Sequence, residues 1–464
     1  MDKSQADHPA WVKDAVFYQI FPDRFYNGDA SNDPPGTVCW GDSPTRENFF
    51  GGDIAGIQQK LDYLQDLGVN ALYLNPIFKA RTNHRYDTSD YYRIDPALGD
   101  LAVMKAFVEE VHKRGMHLVL DGVFNHCGDG FAPFLDVLEK GGSSPYADWF
   151  LSQGFPLQTE PLNFLTCGGC TYLPKLNHLN PEVRQYILDV AQYWTRELAL
   201  DGWRLDVPFK MPPDLWREFR SAVKAINPQA YLVGEVWREA GHWIQGDTFD
   251  GVTNYRLRDI IFDYVHSRIL DGEDFGYELQ TLLASHGSAA GQMLNLLDSH
   301  DTPRVLTTFK GDISILTIAL TLQMTLPGAP MIYYGDEVGL QGENDPDCRR
   351  CFPWQAGEQN RQVYDRVKSL IALRKGHACF RHGLPQSLAY FNGVYAYRQA
   401  HGEDEAIVIL NPREGIARLK IPTQSARATW RDAETDAVYA AADGSLVMDW
   451  LPAQSAVVLL PERP

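Results

Sequence analysis

Arg204 and Asp206 lie two residues apart in the run Asp201-Gly202-Trp203-Arg204-Leu205-Asp206-Val207. On a β-strand, residues i and i+2 project from the same face, so this run delivers a guanidinium and a carboxylate side by side. A neighbouring cation favours the ionised form of an acid, which is the form a carboxylate nucleophile needs. One such pair is equally what a buried structural ion pair looks like. Three further apolar runs end in the same way. Residues 118–126 finish on Asp121, Asn125 and His126, residues 231–237 carry Glu235, and residues 296–301 finish on Asp298, His300 and Asp301. Apolar runs that all end in acids or histidines describe parallel strands whose C-terminal ends converge on one site. That is where a (β/α)₈ barrel keeps its reacting groups.

The spacing between these runs supplies the elements such a barrel requires. Residues 15–21 read as a first strand. Ile54, Ile57, Leu61, Leu64 and Leu67 then recur at helical spacing, and Gly68 ends that helix. Residues 71–75 form a second strand, Met104, Phe107, Val108 and Val111 mark a helix, and residues 117–123 form the third strand. This is the βαβ rhythm of a parallel sheet. It stops at 127–177, where Gly, Pro, Ser and aromatic residues dominate and an irregular inserted subdomain is expected. Asn180-Pro181 opens the next helix as a cap followed by proline, with Val183, Ile187, Val190, Trp194 and Leu198 as its apolar face. After the strand carrying Arg204, Leu215, Phe219, Val223 and Ile226 mark another helix. The fifth strand begins at Tyr231, a weaker sixth covers 249–255, and the seventh and eighth cover 293–297 and 330–334. A helix near 362–375 is followed by short alternating runs at 390–397, 407–410, 417–421, 447–451 and 457–460, the pattern of a separate antiparallel β domain. The expected fold is α/β: a (β/α)₈ TIM barrel from residues 1–126 and 178–382, an insertion at 127–177 after strand 3, and a C-terminal antiparallel β-sandwich at 383–464.

Composition narrows the partners. A chain of 464 residues with 44% hydrophobic residues can bury a barrel and smaller domains. Its formal net charge of −18 repels nucleic acid and anionic membranes, so neither is expected as a partner. A neutral substrate is compatible with that charge, and 11 Trp and 22 Tyr leave aromatic rings to spare for stacking on sugars. Residues 1–9 are polar and lack an apolar signal region, and no run is long enough to span a bilayer. A cytoplasmic protein is expected. Seven cysteines do not form an even disulfide framework. Cys167/Cys170 and Cys348/Cys351 each have zinc-ligand spacing, which leaves free thiols or a shared Cys₄ zinc site as alternatives.

The four acidic strand ends, in this order and spacing, resemble the signature regions of the α-amylase family of glycoside hydrolases, from about Val16 to the C-terminal region. Leu173-Pro174-Lys175-Leu176-Asn177 is similar to the marker of the subfamily containing cyclomaltodextrinases, neopullulanases and maltogenic amylases. Retaining glycosidases use two carboxyl groups about 5–5.5 Å apart, one attacking the anomeric carbon and one protonating the leaving oxygen. The resemblance assigns these roles to Asp206 and Glu235, and the flanking Val236 and Trp237 suggest an apolar setting that raises the pKa of Glu235. It makes Asp301 the third carboxylate, which binds and distorts the reacting sugar. His126 and His300 are implied to hydrogen-bond that sugar, Tyr86 to form the platform beneath it, and Asp345 with Arg349 to grip the next sugar. Arg204 and Trp237 complete the implied substrate contacts. Asp121 and Asn125 read as structural residues at the end of the third strand. One departure is Phe209-Lys210, where the subfamily usually has Asn then Glu on the acceptor side of the cleft.

The resemblance also implies a structural calcium ion at Asn27, Asp29, Asn32, Asp33, Gly51 and Asp53, an oxygen-rich set suited to a hard cation. A polar turn in which these side chains cap their own backbone is the alternative. No organic cofactor is expected. The implied activity is endo- or exo-acting hydrolysis of α-1,4 glucosidic bonds, with α-1,6 bonds open as well, in cyclodextrins, maltodextrins, pullulan or starch. A transglycosylase or isomerase of the trehalose or sucrose type, and a non-catalytic glucan-binding protein, are the competing readings. The first strand begins near Ala15, which leaves no room for the β domain that usually precedes the barrel in this subfamily. A more open cleft is therefore expected, with a monomer or a dimer not of the domain-swapped type, and weaker discrimination against starch and pullulan.

Overall fold

The computed structural model describes residues 8–462; most of the polar stretch 1–9 lies outside them. Eight parallel strands form the central sheet: β1 (Phe17–Ile20), β2 (Ala71–Leu74), β3 (His117–Gly122), β4 (Gly202–Leu205), β5 (Tyr231–Gly234), β6 (Gly251–Val252), β7 (Leu294–Leu296) and β8 (Ala329–Tyr333). Their order is β6-β5-β4-β3-β2-β1-β8-β7, and a parallel bridge between Thr253 and Leu294 joins the two ends. The expected (β/α)₈ barrel is therefore closed.

Strand alternation sorts the side chains. Tyr18, Ile20, Leu118, Leu120, Trp203, Leu205 and Leu232 face the surrounding helices and belong to the large outer core. Phe17, Ala71, Tyr73, Val119, Tyr231 and Val233 fill the barrel interior. Moving two residues further along these inner columns changes the chemistry. Gln19 follows Phe17, Asn75 follows Tyr73, Asp121 follows Val119, Asp206 follows Arg204, and Glu235 follows Val233. The registers place Asp121 opposite Arg204 and Arg204 opposite Val233. Column by column, the apolar plug thus gives way to polar residues at the C-terminal mouth.

The expected single helix over 54–67 is two helices, Ile54–Gln59 and Leu61–Leu67, with Lys60 between them and Gly68, at φ 103°, ending the second. The apolar spacing continues through the break because both pieces pack on the same sheet face. The helix after Asn180 runs from Pro181 to Glu197, and the Asn180 side chain accepts from the Glu182 amide. Residues 127–177 are less irregular than expected: Ala132–Lys140 is an α-helix that buries Phe134 and Val137. Glycine- and proline-rich flanks hide so short a periodic stretch. The remainder of the insertion is held by isolated bridges, including His126 with Lys175 and Thr166 with Pro174.

The C-terminal domain has eight antiparallel strands where five runs were expected: β9 (Gln386–Phe391), β10 (Val394–His401), β11 (Asp404–Asn411), β12 (Ile416–Pro422), β13 (Thr429–Asp432), β14 (Val438–Ala442), β15 (Ser445–Leu451) and β16 (Ser455–Pro461). They are ordered β9-β10-β11-β16-β13-β14-β15-β12 around Ile407, Ile409, Trp430, Leu446 and Met448. The run 390–397 is in fact a hairpin. Asn392 and Gly393, at φ 47° and 82°, make the two-residue turn that matches strand twist. Tyr395, Tyr397, Val408 and Leu410 of this domain join the barrel's outer core, so the two parts share one apolar interior.

Candidate active site

Arg204 is almost fully buried at the barrel mouth and is the hub of the polar layer. Its Nη1 donates to Asp121 Oδ1 at 2.9 Å and to Asp206 Oδ1 at 2.8 Å, and its Nη2 lies 3.0 Å from Glu235 Oε2. One guanidinium fork therefore bridges Asp206 and Glu235, which limits their separation to the width of that fork plus two hydrogen bonds. Asp206 follows the last residue of β4, and Glu235 follows the last residue of β5.

The surroundings of both acids differ from the sequence expectation. Glu235 does not sit in an apolar setting: Oε1 accepts from Trp237 Nε1 at 2.9 Å, and Oε2 accepts from the Val207 amide at 2.9 Å. Asp206 is not simply held ionised by Arg204. Burial pushes its pKa well above the ordinary carboxylate value, Arg204 opposes this, and the charges of Glu235 and Asp121 add to the rise. Burial likewise raises Asp121, against Arg204. One cation thus faces three acids, and burial works against charge on Asp206 and Asp121. The turn leaving β4 is strained as well. Val207 is a β-branched residue in the left-handed region at φ 35° and ψ 51°, pinned there by the hydrogen bond its amide donates to Glu235.

A second layer fixes the rings. Tyr86 donates to Asp121 Oδ2 at 2.9 Å, and its oxygen lies 2.6 Å from His300 Nε2. Asn75 Nδ2 donates to the Tyr86 oxygen at 3.1 Å, while Gln19 Nε2 lies 2.8 Å from His300 Nδ1. Burial, then the charges of Arg349 and Arg204, keep His300 well below its usual pKa and hence neutral. With Gln19 donating to Nδ1, the ring proton is on Nε2, facing Tyr86 and Asp301. His126 is also neutral, lowered to about 4 by burial, and its Nε2 has no partner. Asp301 is partly exposed, with Oδ2 3.1 Å from His300 Nε2 and Oδ1 accepting from Arg349 Nη2 at 3.2 Å. Arg349 Nη1 in turn lies 2.9 Å from Asp345 Oδ1.

All ten residues named from sequence as catalytic or substrate-binding thus lie at the barrel mouth or on the loops rimming it. Sequence reasoning missed Gln19, Tyr73, Asn75 and Tyr255. Tyr73 donates to Asp121 at 2.7 Å, and Tyr255 stacks on Trp237 with ring centroids 3.9 Å apart. For Gln19, Tyr73 and Asn75 the missed signal was the inner-column position two residues beyond an apolar one. Asp121 is more than a strand-end residue, because it couples Tyr73, Tyr86 and Arg204. Phe209 and Trp237 present exposed aromatic faces beside the acids.

The oxygen-rich loop before the first barrel helix has a mixed structure. Asp53 caps helix Ile54–Gln59: Oδ1 accepts from the Gly28 and Gly56 amides, and Oδ2 from the Asp29 amide and Asn32 Nδ2. Both oxygens are spoken for, so Asp53 serves as a cap. Asn27 Nδ2 donates to both oxygens of Asp33 at 2.8 and 3.0 Å, and Asp29 accepts from Ser31. Asn32 Oδ1 is buried without a partner. Gly51, at φ 81°, is approached so closely that a Cβ there would lie 2.2 Å from Asp33 Oδ1 and 2.4 Å from Asn27 Nδ2. Among the described residues no three His, Cys, Asp or Glu side chains are arranged to hold a metal ion, so the two CxxC pairs do not build a Cys₄ zinc site. Cys348 is committed elsewhere, its thiol 3.3 Å from the His300 carbonyl. All seven cysteines are free, and no helix among the described residues is long and apolar enough to cross a membrane.

Comparison with known proteins gives a consistent picture. The α-amylase catalytic domain model matches residues 19–383. A cyclomaltodextrinase of Geobacillus thermopakistaniensis is 46% identical over 91% of this chain and 72% of its own length. Neopullulanase 2 of Thermoactinomyces vulgaris is 43% identical over 97% of this chain and 78% of its own. The ligand-free cyclic α-maltosyl-(1→6)-maltose hydrolase of Arthrobacter globiformis superposes with a TM-score of 0.90 at 43% identity, covering 98% of this chain and 99% of that one.

Proposed function

Since this chain belongs to the α-amylase family of glycoside hydrolases, we propose that it cleaves α-1,4 and α-1,6 glucosidic bonds in cyclic and short linear α-glucans, with retention of configuration. The observation that carries the reading is the Arg204 fork joining Asp206 to Glu235. Asp206 attacks the anomeric carbon while Glu235 passes a proton to the departing oxygen. Water then opens the glycosyl ester, with Glu235 now acting as base. Asp301 and the unpartnered Nε2 of His126 take hydroxyls of the reacting sugar, Tyr86 lies beneath its ring, and Asp345 with Arg349 hold the next sugar. The α-1,6 part of the proposal draws on the hydrolase of 1→6-linked cyclic maltosyl-maltose that this chain resembles. Seven free thiols support a reducing, cytoplasmic setting.

The first product of maltotriose or β-cyclodextrin cleavage is expected to be the α anomer in an NMR time course; the β anomer appearing first would remove Asp206 from the nucleophile role. The same time course decides about transfer. Phe209 and Trp237 give an acceptor sugar two rings to stack on, so products longer than the substrate would move the reading toward transglycosylation. Parallel kcat/KM values for β-cyclodextrin, pullulan and starch rank the substrates.

We also propose calcium as a stabilising ion in the loop after β1. The orphaned Asn32 Oδ1 and the close approach of Asp33 and Asn27 to the Gly51 backbone support it, with Asp29 nearby and Asp53 acting through its cap. A hard divalent cation would supply charge neutralisation between the loop and the first barrel helix. Chelation is expected to lower the thermal midpoint and calcium to restore it, by about 2.7 kcal/mol of stability at a hundredfold excess over Kd. A midpoint unmoved by chelator, with no calcium found in the purified protein by elemental analysis, would refute the assignment.

A further inference from the structure

Cys167-Gly168-Gly169-Cys170, in the insertion, takes no part in glycoside chemistry, yet its geometry is specific. The Cys170 amide donates to the Cys167 carbonyl at 3.0 Å, closing a four-residue turn. Gly168 and Gly169 have φ of 59° and 78°. Both are left-handed, as a type I′ turn requires and as only glycine adopts freely. Nothing lies within 4 Å of where a Cβ would sit on either, so the glycines serve the turn and not the packing. Such a turn brings its first and fourth Cα atoms within about 7 Å, and a disulfide spans about 4.4–6.8 Å between Cα atoms. Both thiols are free and both residues are partly exposed.

The turn is tied to the candidate active site. The Cys167 amide donates to the Leu173 carbonyl at 2.9 Å, Thr166 bridges Pro174, and Lys175 bridges His126. The Leu176 amide donates to the Asn125 carbonyl at 3.1 Å. The Cys167 thiol is close enough to Asp206 to feel its charge. Asn125 in turn touches His126 Nδ1 at 3.2 Å. A short run of backbone bridges therefore connects the turn to His126, a residue proposed to hold the reacting sugar.

We propose that Cys167 and Cys170 are a redox-active pair whose disulfide slows this enzyme under peroxide stress. Cys170 attacks hydrogen peroxide, gives a sulfenic acid and releases one water. Cys167 then attacks that sulfur, closes the S–S bond and releases the second water, so two thiols are oxidised and one peroxide is reduced. The order follows from the environment. Burial and the neighbouring Asp206 charge push the Cys167 thiol up to about 11, which suits a resolving group and not the first nucleophile. Closing the bond reshapes the turn and, through the Thr166–Pro174 and Lys175–His126 bridges, shifts the backbone that supports His126.

The activity readout rests on the hydrolase proposal, whereas the mass readout does not. The full chain, reduced and then freed of reductant, is treated with hydrogen peroxide and in parallel with oxidised glutathione. The expected result is the loss of two hydrogen masses, mapped to the peptide containing 167–170. With it kcat/KM on maltotriose falls at least about fivefold, and dithiothreitol restores it. Cys170→Ser is expected to keep basal activity and to resist the loss. The proposal is overturned if both thiols remain open to alkylation after treatment, if a lasting mixed disulfide with glutathione forms in place of the pair, if the disulfide forms without a change in kcat/KM, or if Cys170→Ser loses activity as the unaltered chain does. A reduced protein that forms the disulfide but never hydrolyses a glucan would refute the function and not the pair.

Discussion

Asp206→Asn is expected to lower kcat on maltotriose by about four orders of magnitude or more, as removal of a covalent nucleophile does, while leaving the fold intact. The substitution preserves shape and removes only the attacking oxygen's charge. It does not orphan Arg204, which keeps Asp121 at 2.9 Å and Glu235 at 3.0 Å. The thermal midpoint should therefore move little, which separates lost chemistry from lost structure. Glu235→Gln provides the complementary test. A substrate with a good leaving group, such as a nitrophenyl maltoside, needs little protonation, so this variant should lose far less activity on it than on maltotriose. Asp206→Asn should be equally defective on both. If Asp206→Asn retained more than about 1% of kcat, the nucleophile would have to be sought elsewhere, with Asp301 the next candidate.

Arg204→Leu is expected to abolish turnover and also to destabilise the barrel, by about 3–5 kcal/mol at neutral pH, because it leaves buried charges without their partner. Asp121, Asp206 and Glu235 are all buried and converge on this guanidinium. Without it, burial raises Asp121 and Asp206 further in the direction they already take. An acid whose folded pKa is raised holds a proton in the folded state that the unfolded chain has released. Stability then falls as pH rises from the ordinary carboxylate value to the raised one. The deficit of Arg204→Leu should therefore shrink as pH is lowered from 7 toward 5, read as the difference in urea midpoints between variant and parent at each pH. A deficit that stayed constant or grew on acidification would show that the cluster is not held by this charge. Arg204→Lys should recover part of the stability and little of the activity, because an ammonium cannot span Asp206 and Glu235 as a fork does.

Much of the architecture was legible because two periodicities carry it. Tyr18 and Ile20, or Leu118 and Leu120, alternate with the inner-column residues, and the helix from Pro181 declares its cap and its apolar stripe within four residues. Where periodicity was too short or was shared, the reading failed for the same physical reason. Helix Ala132–Lys140 offers little more than two turns among glycines and prolines. The break at Lys60 interrupts a helix without shifting its apolar face. Asn392-Gly393 reverses a strand whose apolar pattern continues on both sides.

At the site, residue types and their order at strand ends determined which groups could react: Asp206, Glu235 and Asp301, with His126, His300 and Tyr86 around them. Tertiary structure alone decided how those groups are charged and held. The Arg204–Asp206 pair read from the sequence is shared, because strand register brings Asp121 and Glu235 to the same guanidinium. The expectation of an apolar Glu235 failed because the backbone turn at Val207 aims an amide at it. Asp53, read as a metal ligand, is occupied by four donors that only the folded loop assembles. A local run of sequence determines which face a side chain leaves from. The field and hydrogen bonds it meets come from strands and loops tens to hundreds of residues away, such as Gln19 against His300, and they exist only once the barrel has closed.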